Sequence, residues 1–316
     1  MKLTLNKVLS FLEGKHIAYE ILNDQPQLRE KEFQLASIKN KISNGFYYLN
    51  AEFMHELAGI SDSLILTNAT DIKDRSNIYL VVKNPQLVHY KVSTLFEKLP
   101  QPGIHPTAIV DPGAEVSQEA YIGPYCVLGK CKILSGVCLM GNVTVNDGTL
   151  IMSNTLIEQN CVLGARGMAW IWDDDGSRVM QPQLGGVTIG ENCLIGTDVT
   201  VVRGSLSENT VIGDGCVIAH GTKIGHGCTI RKFVHMANNV SLAGNVLLED
   251  RVFRGSASVI SSNVVVREGC IVGAGTVISK TIDESYATIA GVPGRIIKRN
   301  NFESKPAGAP RPFKSK

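Results

Sequence analysis

Residues 212–230 read IGDGCVIAHGTKIGHGCTI, and an isoleucine occupies every sixth position of this stretch. The same phase continues towards the C-terminus with an apolar residue at every position except Arg254. The later apolar positions are Met236, Leu242, Leu248, Ile260, Val266, Val272 and Ile278. An apolar residue repeated every six positions predicts a parallel β-helix, in which three short strands and three tight turns make each coil of about 18 residues.

A second block nearer the N-terminus carries the same period. Its apolar positions are Val127, Ile133, Leu139, Val145, Ile151, Ile157 and Leu163. Glycine often follows the periodic residue, as at Gly213 and Gly225, and we expect it to supply the backbone freedom that a corner of the coil requires. The two blocks together predict a mainly β protein.

The eight cysteines fit the same geometry, because each lies four residues after an aliphatic residue, at the second inward position of a hexapeptide. They are Cys126, Cys131, Cys138, Cys161, Cys193, Cys216, Cys228 and Cys270. No Cys-x-x-Cys pair occurs. We therefore expect small packing side chains rather than a metal site, and the inward phase of Cys228 argues against a nucleophile.

The composition agrees with a repetitive β architecture. The 316 residues include 31 glycines, 44% are hydrophobic, and only 6% are aromatic. The 31 basic and 29 acidic residues give a net charge of +2, which argues against a nucleic-acid partner. No signal-like segment opens the sequence and no transmembrane segment is expected, so we predict a cytoplasmic protein with reduced thiols.

The chain divides at a proline-rich linker near residues 99–106. Residues 1–101 lack the repeat and mix helix-like with β-like stretches, which predicts a small α/β domain. Residues 102–298 form the predicted β-helix, and 299–316 a flexible basic tail. Residues 165–186 break the period and predict a loop outside the coils, whose Trp170 and Trp172 we expect to face a ligand.

Three of the seven histidines fall in the most regular repeat block: His220, His226 and His235. The first two follow an inward isoleucine by two residues, which places them near corners and directs them outward. A histidine that titrates near neutrality can take a proton from an amine or a hydroxyl. The periodicity does not choose among the three.

The residues resemble a known family, the UDP-3-O-(3-hydroxyacyl)glucosamine N-acyltransferases of the lipid A pathway, within the hexapeptide-repeat acyltransferase superfamily. The resemblance lies in GIHPTAIVDP at 103–112, PQLGGV at 182–187, and Arg203-Gly204 followed by TVIG at 210–213. It implies a left-handed parallel β-helix and a homotrimer with active sites between subunits. It also implies a UDP-linked amino sugar as acceptor, acyl carrier protein or coenzyme A as acyl carrier, and no metal or tightly bound cofactor.

The resemblance also implies site residues. In this family the catalytic base lies 15 residues after the valine of the Val-Ile-Gly motif, and counting from Val211 leads to His226. The stretch HGCTIRKFVH at 226–235 is similar to sialic-acid and bacillosamine-type sugar acetyltransferases. There the histidine matching His226 is the base, and the histidine matching His235 contacts acetyl-CoA. We expect Arg295, in the last coils, to contact the donor as well.

The resemblance extends to the N-terminal domain, where the family binds uracil with two aromatic residues and an asparagine. The matching residues are Tyr47, Asn50 and Phe53, in FYYLNAEF at 46–53. Two positions depart from the pattern. Asn263 stands where the family has a second active-site histidine, and we place it at the substrate. Gly227 stands where the family usually has Asn and the acetyltransferases an acidic residue.

These features predict an acyltransferase of lipid A or related surface-glycan synthesis. Two alternatives stay open. One is an acetyl-CoA-dependent N- or O-acetyltransferase of a nucleotide sugar, favoured by the ending AGVPGRIIK at 290–298, which resembles that of CoA-dependent hexapeptide acetyltransferases. The other is a non-catalytic β-helix scaffold that binds a nucleotide sugar.

Overall fold

The computed structural model describes residues 1–300, so the predicted tail beyond residue 300 lies outside the described residues. The chain forms two compact units, Met1–Leu99 and the part from Pro100 onward. No helix in the described range is long and apolar enough to cross a membrane.

The N-terminal unit is one six-stranded sheet with three short α-helices and two 3₁₀ helices. In chain order the strands are Lys2–Thr4, Glu20–Leu22, Glu32–Leu35, Gly45–Leu49, Leu64–Thr67 and Ile78–Val81. The α-helices are Leu5–Gly14, Pro26–Arg29 and Pro85–Ser93, and the 3₁₀ helices are Ala51–Leu57 and Thr94–Phe96. From edge to edge the sheet runs first, third, fourth, fifth, sixth and second strand.

The helices of this unit begin where the sequence provides caps. The hydroxyl of Thr4 accepts a hydrogen bond from the Lys7 N–H, and Asn84 caps the last α-helix just before Pro85. In the first helix the buried residues Leu5, Val8 and Leu12 recur at helical spacing, so one stripe of the helix packs against the sheet.

The second unit is a parallel β-helix with three faces. Face 1 contains Gly103–Ile104, Tyr121–Ile122, Cys138–Leu139, Leu156–Ile157, Leu194–Ile195, Val217–Ile218, His235–Met236, Phe253–Arg254, Ile271–Val272, Ala287–Ala290 and Arg295–Arg299. Face 2 contains Ile109–Val110, Val127–Leu128, Thr144–Val145, Val162–Ala165, Thr200–Val202, Lys223–Ile224, Ser241–Leu242, Val259–Ile260 and Val277–Ile278. Face 3 contains Glu115–Val116, Lys132–Ile133, Thr149–Ile151, Val187–Ile189, Thr210–Ile212, Thr229–Ile230, Leu247–Leu248 and Val265–Val266.

The six-residue period of the sequence explains how neighbouring strands of one face pair. Val217 pairs with His235, and Lys223 pairs with Ser241, so the chain advances 18 residues between neighbouring strands of one face. The last strand, Arg295–Arg299, departs from this pattern by pairing antiparallel to Ala287–Ala290. It includes Arg299, which the sequence assigned to the tail.

The interior of the coils is a single column of small and aliphatic side chains, as predicted. Two positions were predicted wrongly. Val127 is exposed and Leu128 points inward, because the coil at this point is one residue shorter and Val127 pairs with Thr144. Seven of the cysteines are buried, but Cys138 is only half-buried because it is the outward residue of its strand.

Glycine after the periodic isoleucine has a different role from the predicted one. Gly213 and Gly225 do not adopt a positive φ; the left-handed corner residues lie two positions later, at Gly215 (φ +66°) and Gly227 (φ +64°). A Cβ at Gly225 would lie 2.7 Å from the carbonyl carbon of Ala243 in the next coil. These glycines are therefore required by the close approach of neighbouring coils.

Arg254 does not interrupt the coil. Its side chain occupies the inward position between Met236 and Val272 and is fully buried. Its Nε and Nη2 donate to Ser258 Oγ at 3.2 and 2.9 Å, while Nη1 has no hydrogen-bond partner among the described residues. Burial lowers the pKa of Arg254 to about 9, so the core contains a charge at neutral pH.

Both insertions leave the coil at one corner, between face 2 and face 3. The first is the predicted loop, which contains a hairpin of Trp170–Trp172 and Arg178–Met180. The second, residues 203–209, occupies the same corner in the next coil and was not predicted. We call this edge of the β-helix the insertion corner.

Candidate active site

His226 lies on the insertion corner, one coil after residues 203–209. It follows the strand Lys223–Ile224 and is half-buried. The backbone is held on both sides, since Gly227 N–H donates to Thr210 Oγ1 at 2.9 Å and the His226 carbonyl accepts from Asn245 N–H at 2.8 Å. The left-handed conformation of Gly227 completes the turn, so the imidazole starts from a fixed backbone position.

The two ring nitrogens of His226 have different neighbours. Nδ1 lies 3.1 Å from Ser205 Oγ, in the second insertion. The opposite edge of the ring lies over Gly244 in the next coil: a Cβ at Gly244 would collide with Nε2 and would lie 2.6 Å from Cε1. Glycine at 244 is therefore a steric condition for this ring orientation.

The turn that carries Ser205 is closed by the carboxylate of Glu208. Its oxygens accept from the Ser205 N–H at 2.6 Å and the Leu206 N–H at 3.1 Å. Hydrogen bonds from the backbone N–H groups of Glu208 itself, Ser205 and Leu206 lower the pKa of the Glu208 carboxyl, and His226 acts in the same direction. An ionised carboxylate therefore stands beside the imidazole.

His220 lies on another corner, between face 1 and face 2, and its Nδ1 has a different hydrogen-bond partner. Its Nδ1 accepts a hydrogen bond from the Thr197 N–H at 3.0 Å. A neutral imidazole whose Nδ1 accepts must carry its proton on Nε2, so the outer nitrogen of His220 has no lone pair for a substrate proton. The Thr197 hydroxyl also lies 3.0 Å from this nitrogen, so the two histidines differ in the N–H donor, which has no counterpart at Nδ1 of His226 among the described residues.

The predicted donor residues are not brought to His226 within one chain. His235 lies on face 1, where its ring centroid is 5.0 Å from that of Phe253 in an edge contact. In a three-sided coil, face 1 is opposite the insertion corner. Arg295 is also on face 1, near its last strand pair, and is exposed with Nη1 donating to the Gly294 carbonyl.

Asn263 is on the insertion corner, two coils beyond His226. It adopts a left-handed conformation with φ +61°, and its Oδ1 accepts from Asn245 Nδ2 at 3.3 Å. Asn245 in turn donates its backbone N–H to the His226 carbonyl. The corner thus brings Asn263 and His226 onto one edge with Asn245 between them.

The three predicted uracil residues differ in exposure. Tyr47 is 1% exposed, and its hydroxyl donates to the Ile42 carbonyl at 2.9 Å, so its ring is not accessible for stacking on a base in this conformation. It belongs to the core on one face of the sheet because alternate residues of its strand face opposite sides. Phe53 is 40% exposed, and its N–H donates to the carbonyl of Asn50, which caps the 3₁₀ helix.

The consecutive aspartates of the hairpin form hydrogen bonds within its turn. Asp173 accepts from the Asp174 N–H and Asp175 from the Ser177 N–H, both at 2.7 Å. No group of three or more His, Cys, Asp or Glu in residues 1–300 could hold a metal ion. Trp170 and Trp172 are exposed and contact each other edge to face, with Arg178 over both rings.

Sequence reasoning missed the neighbours of His226, namely Ser205, Glu208 and Gly244. The first two lie in the short second insertion. In the sequence this insertion is indicated by the interval between Val201 and Ile212, which is too long for one hexapeptide. Gly244 looks like any other corner glycine.

Comparison with known proteins supports this interpretation of the repeat. A family described as "Hexapeptide repeat of succinyl-transferase" matches residues 186–222, 205–231 and 245–280. A UDP-3-O-acylglucosamine N-acyltransferase of Bordetella parapertussis is 30% identical over 65% of this chain and 64% of its own length. That of Polynucleobacter asymbioticus is 29% identical over 44% of this chain and 46% of its own length.

A solved structure has a similar fold. The UDP-N-acetylglucosamine O-acyltransferase of Moraxella catarrhalis superposes with a TM-score of 0.56 at 26% identity, over 61% of this chain and 73% of that one. The chain spans about half to two thirds of the length of the curated relatives just named. The predicted left-handed parallel β-helix is confirmed, and the chain is similar to proteins of the hexapeptide-repeat acyltransferase superfamily.

Proposed function

We propose that this protein transfers an acyl group from a thioester donor to the amino group of a UDP-linked amino sugar, in lipid A or related surface-glycan synthesis. The names of its relatives support the substrate class. The observation that carries the proposal is the environment of His226, whose Nδ1 faces a hydroxyl while Nε2 lies at the ring edge over Gly244. Nδ1 of His220 instead accepts from the Thr197 N–H, beside the Thr197 hydroxyl.

The proposed mechanism uses Nε2 of His226 as general base. The sugar nitrogen attacks the thioester carbonyl carbon, and Nε2 takes the proton that this nitrogen loses. Backbone N–H groups of a neighbouring corner stabilise the oxyanion of the tetrahedral intermediate. Collapse breaks the carbon–sulfur bond, and the imidazolium protonates the departing thiolate, which leaves an amide and a free thiol. No acyl-enzyme is needed because the thioester is already activated.

The donor site involves a second copy of the chain in this proposal. His235 and Arg295 lie on the face opposite His226, so they meet the base only when face 1 of another copy approaches the insertion corner. A homotrimer supplies such contacts cyclically. Acyl carrier protein or coenzyme A carries the acyl group. Lys280 and Arg295 line a depression and offer positive charge to the phosphate of this carrier.

The test is a donor screen with UDP-amino sugars, using acetyl-CoA and hydroxyacyl carrier protein as donors and mass spectrometry of the products. His226→Ala should reduce turnover about 10²–10⁴-fold, the usual contribution of a general base. His220→Ala is the matched control and should retain activity. Full activity of His226→Ala would refute the base. Product from acetyl-CoA alone would identify an acetyltransferase, and UDP-sugar binding without turnover a scaffold.

A further inference from the structure

The second insertion, residues 203–209, is built as a rigid support. The Gly204 N–H donates to the Gly186 carbonyl at 3.1 Å, and the Ser205 carbonyl accepts from Leu184 N–H at 2.9 Å. The end of the first insertion therefore holds the second one. A Cβ at Gly204 would collide with the carbonyl oxygen of Glu208, so the turn is also closed tightly on itself.

This support places two different groups near His226. Ser205 Oγ is 3.1 Å from Nδ1. The Glu208 side chain lies close to the same turn of the coil, since a Cβ at Gly227 would be 3.9 Å from its Cγ. The electrostatic interaction between Glu208 and His226 agrees with this proximity. The corner on the other side, Gly244-Asn245, carries no titratable side chain.

The two groups have distinct chemical consequences. A neutral imidazole that accepts a proton at Nε2 must carry its own proton on Nδ1, and that N–H needs an acceptor. The serine hydroxyl can be this acceptor. A carboxylate nearby favours the protonated imidazole, which forms when the base takes the substrate proton. At His220 both the Thr197 N–H and the Thr197 hydroxyl reach Nδ1, and the N–H donor enforces the other tautomer.

We propose that the Ser205–Glu208 turn is the positioning element of the base: Ser205 accepts the Nδ1 hydrogen of His226, and Glu208 stabilises its imidazolium. Position 227, next to the histidine, is glycine and offers no acidic side chain. The acidic partner comes instead from this turn, in the preceding coil. Its kinetic consequence rests on the proposed function, whereas the tautomer is a property of the protein alone.

The first experiment needs no activity. Solid-state ¹⁵N NMR of the full chain with labelled histidine, assigned with His226→Ala and His220→Ala, reads both tautomers above neutral pH. We expect the Nδ1–H form at His226 and the Nε2–H form at His220. Ser205→Ala should shift His226 towards the Nε2–H form, and Ser205→Thr should preserve the native tautomer. The Nε2–H form at His226 of the native protein, or no change in Ser205→Ala, would overturn the proposal.

The second experiment measures kcat and the KM for the sugar separately. Glu208→Gln keeps an oxygen that can accept a turn hydrogen bond but removes the charge, so kcat should fall while KM stays unchanged. The loss in kcat should be smaller than the about 10²–10⁴-fold expected for removing the base itself. Thr197→Ala, at the His220 corner, is the control and should leave both constants unchanged. An unchanged kcat in Glu208→Gln would contradict the role of Glu208, whereas an inactive native protein would refute only the proposed function.

Discussion

At the residue scale, Gly244 determines where the imidazole of His226 lies. The ring occupies the space that any larger side chain at 244 would fill. The residue has no unusual backbone of its own, because the left-handed conformation belongs to the following Asn245. A substitution there acts on the ring rather than on the turn.

We predict that Gly244→Ala lowers turnover sharply while the β-helix stays folded. The new methyl group collides with Nε2 and moves the proposed base away from Ser205, and a displacement of about 1 Å is enough to cost about 10²-fold in rate. Gly141→Ala is a matched control, because Gly141 also precedes a left-handed asparagine but its Cβ would lie 3.5 Å from the nearest atom. Steady-state kinetics and circular dichroism measure the outcome. Equal activity of the two variants would show that the ring does not depend on Gly244.

Arg254 is a second residue whose immediate surroundings affect the stability of the protein. Its guanidinium is buried with a serine hydroxyl as its hydrogen-bond partner, and Nη1 is unpartnered within residues 1–300. Replacement of a buried ion pair by apolar residues of similar volume often stabilises a protein by about 1–4 kcal/mol, and a single buried guanidinium carries a desolvation cost of the same kind.

We therefore predict that Arg254→Met raises the free energy of unfolding. Ser258→Ala should lower it in the native background, because the charge loses its partner, and should have a smaller effect together with Arg254→Met. Urea unfolding of the four proteins at equal concentration gives the coupling. Destabilisation by Arg254→Met would mean that the buried charge is compensated by a group other than Ser258.

At the element scale, the short 3₁₀ helix Ala51–Leu57 presents Phe53 to solvent, whereas the strand before it buries Tyr47. A ligand that stacks on an aromatic ring in this region can use Phe53 without rearrangement. The hydroxyl of Tyr47 instead fixes the loop at Ile42 by accepting from its N–H and donating to its carbonyl.

If the N-terminal unit binds uracil, Phe53→Ala should weaken UDP binding by about 1–3 kcal/mol, the range for stacking of a base on an aromatic side chain. Tyr47→Phe should leave UDP binding unchanged and lower stability by about 1 kcal/mol through the lost hydrogen bonds. Isothermal titration calorimetry with UDP and thermal unfolding measure the two effects. The reverse pattern would indicate that Tyr47 leaves the core when the nucleotide binds.

At the scale of the whole β-helix, one edge collects its irregular features. Both insertions, His226, Gly244 and Asn263 lie on the insertion corner, whereas His235 and Arg295 lie on the opposite face. A regular coil offers three equivalent corners, and the insertions distinguish one of them. This arrangement makes a site formed by two copies the natural way to combine the predicted base and donor residues.

The sequence by itself determined the β-helix, because an aliphatic residue at every sixth position can be buried only when each coil stacks on the next. It also located His226 on a corner. It did not determine the hydrogen-bond partners of the histidines, because these depend on whether an N–H from another coil reaches Nδ1. Nor could it show that Tyr47 is buried or that Arg254 stays inside the core. These contacts join residues distant along the chain, so only the tertiary structure decided them.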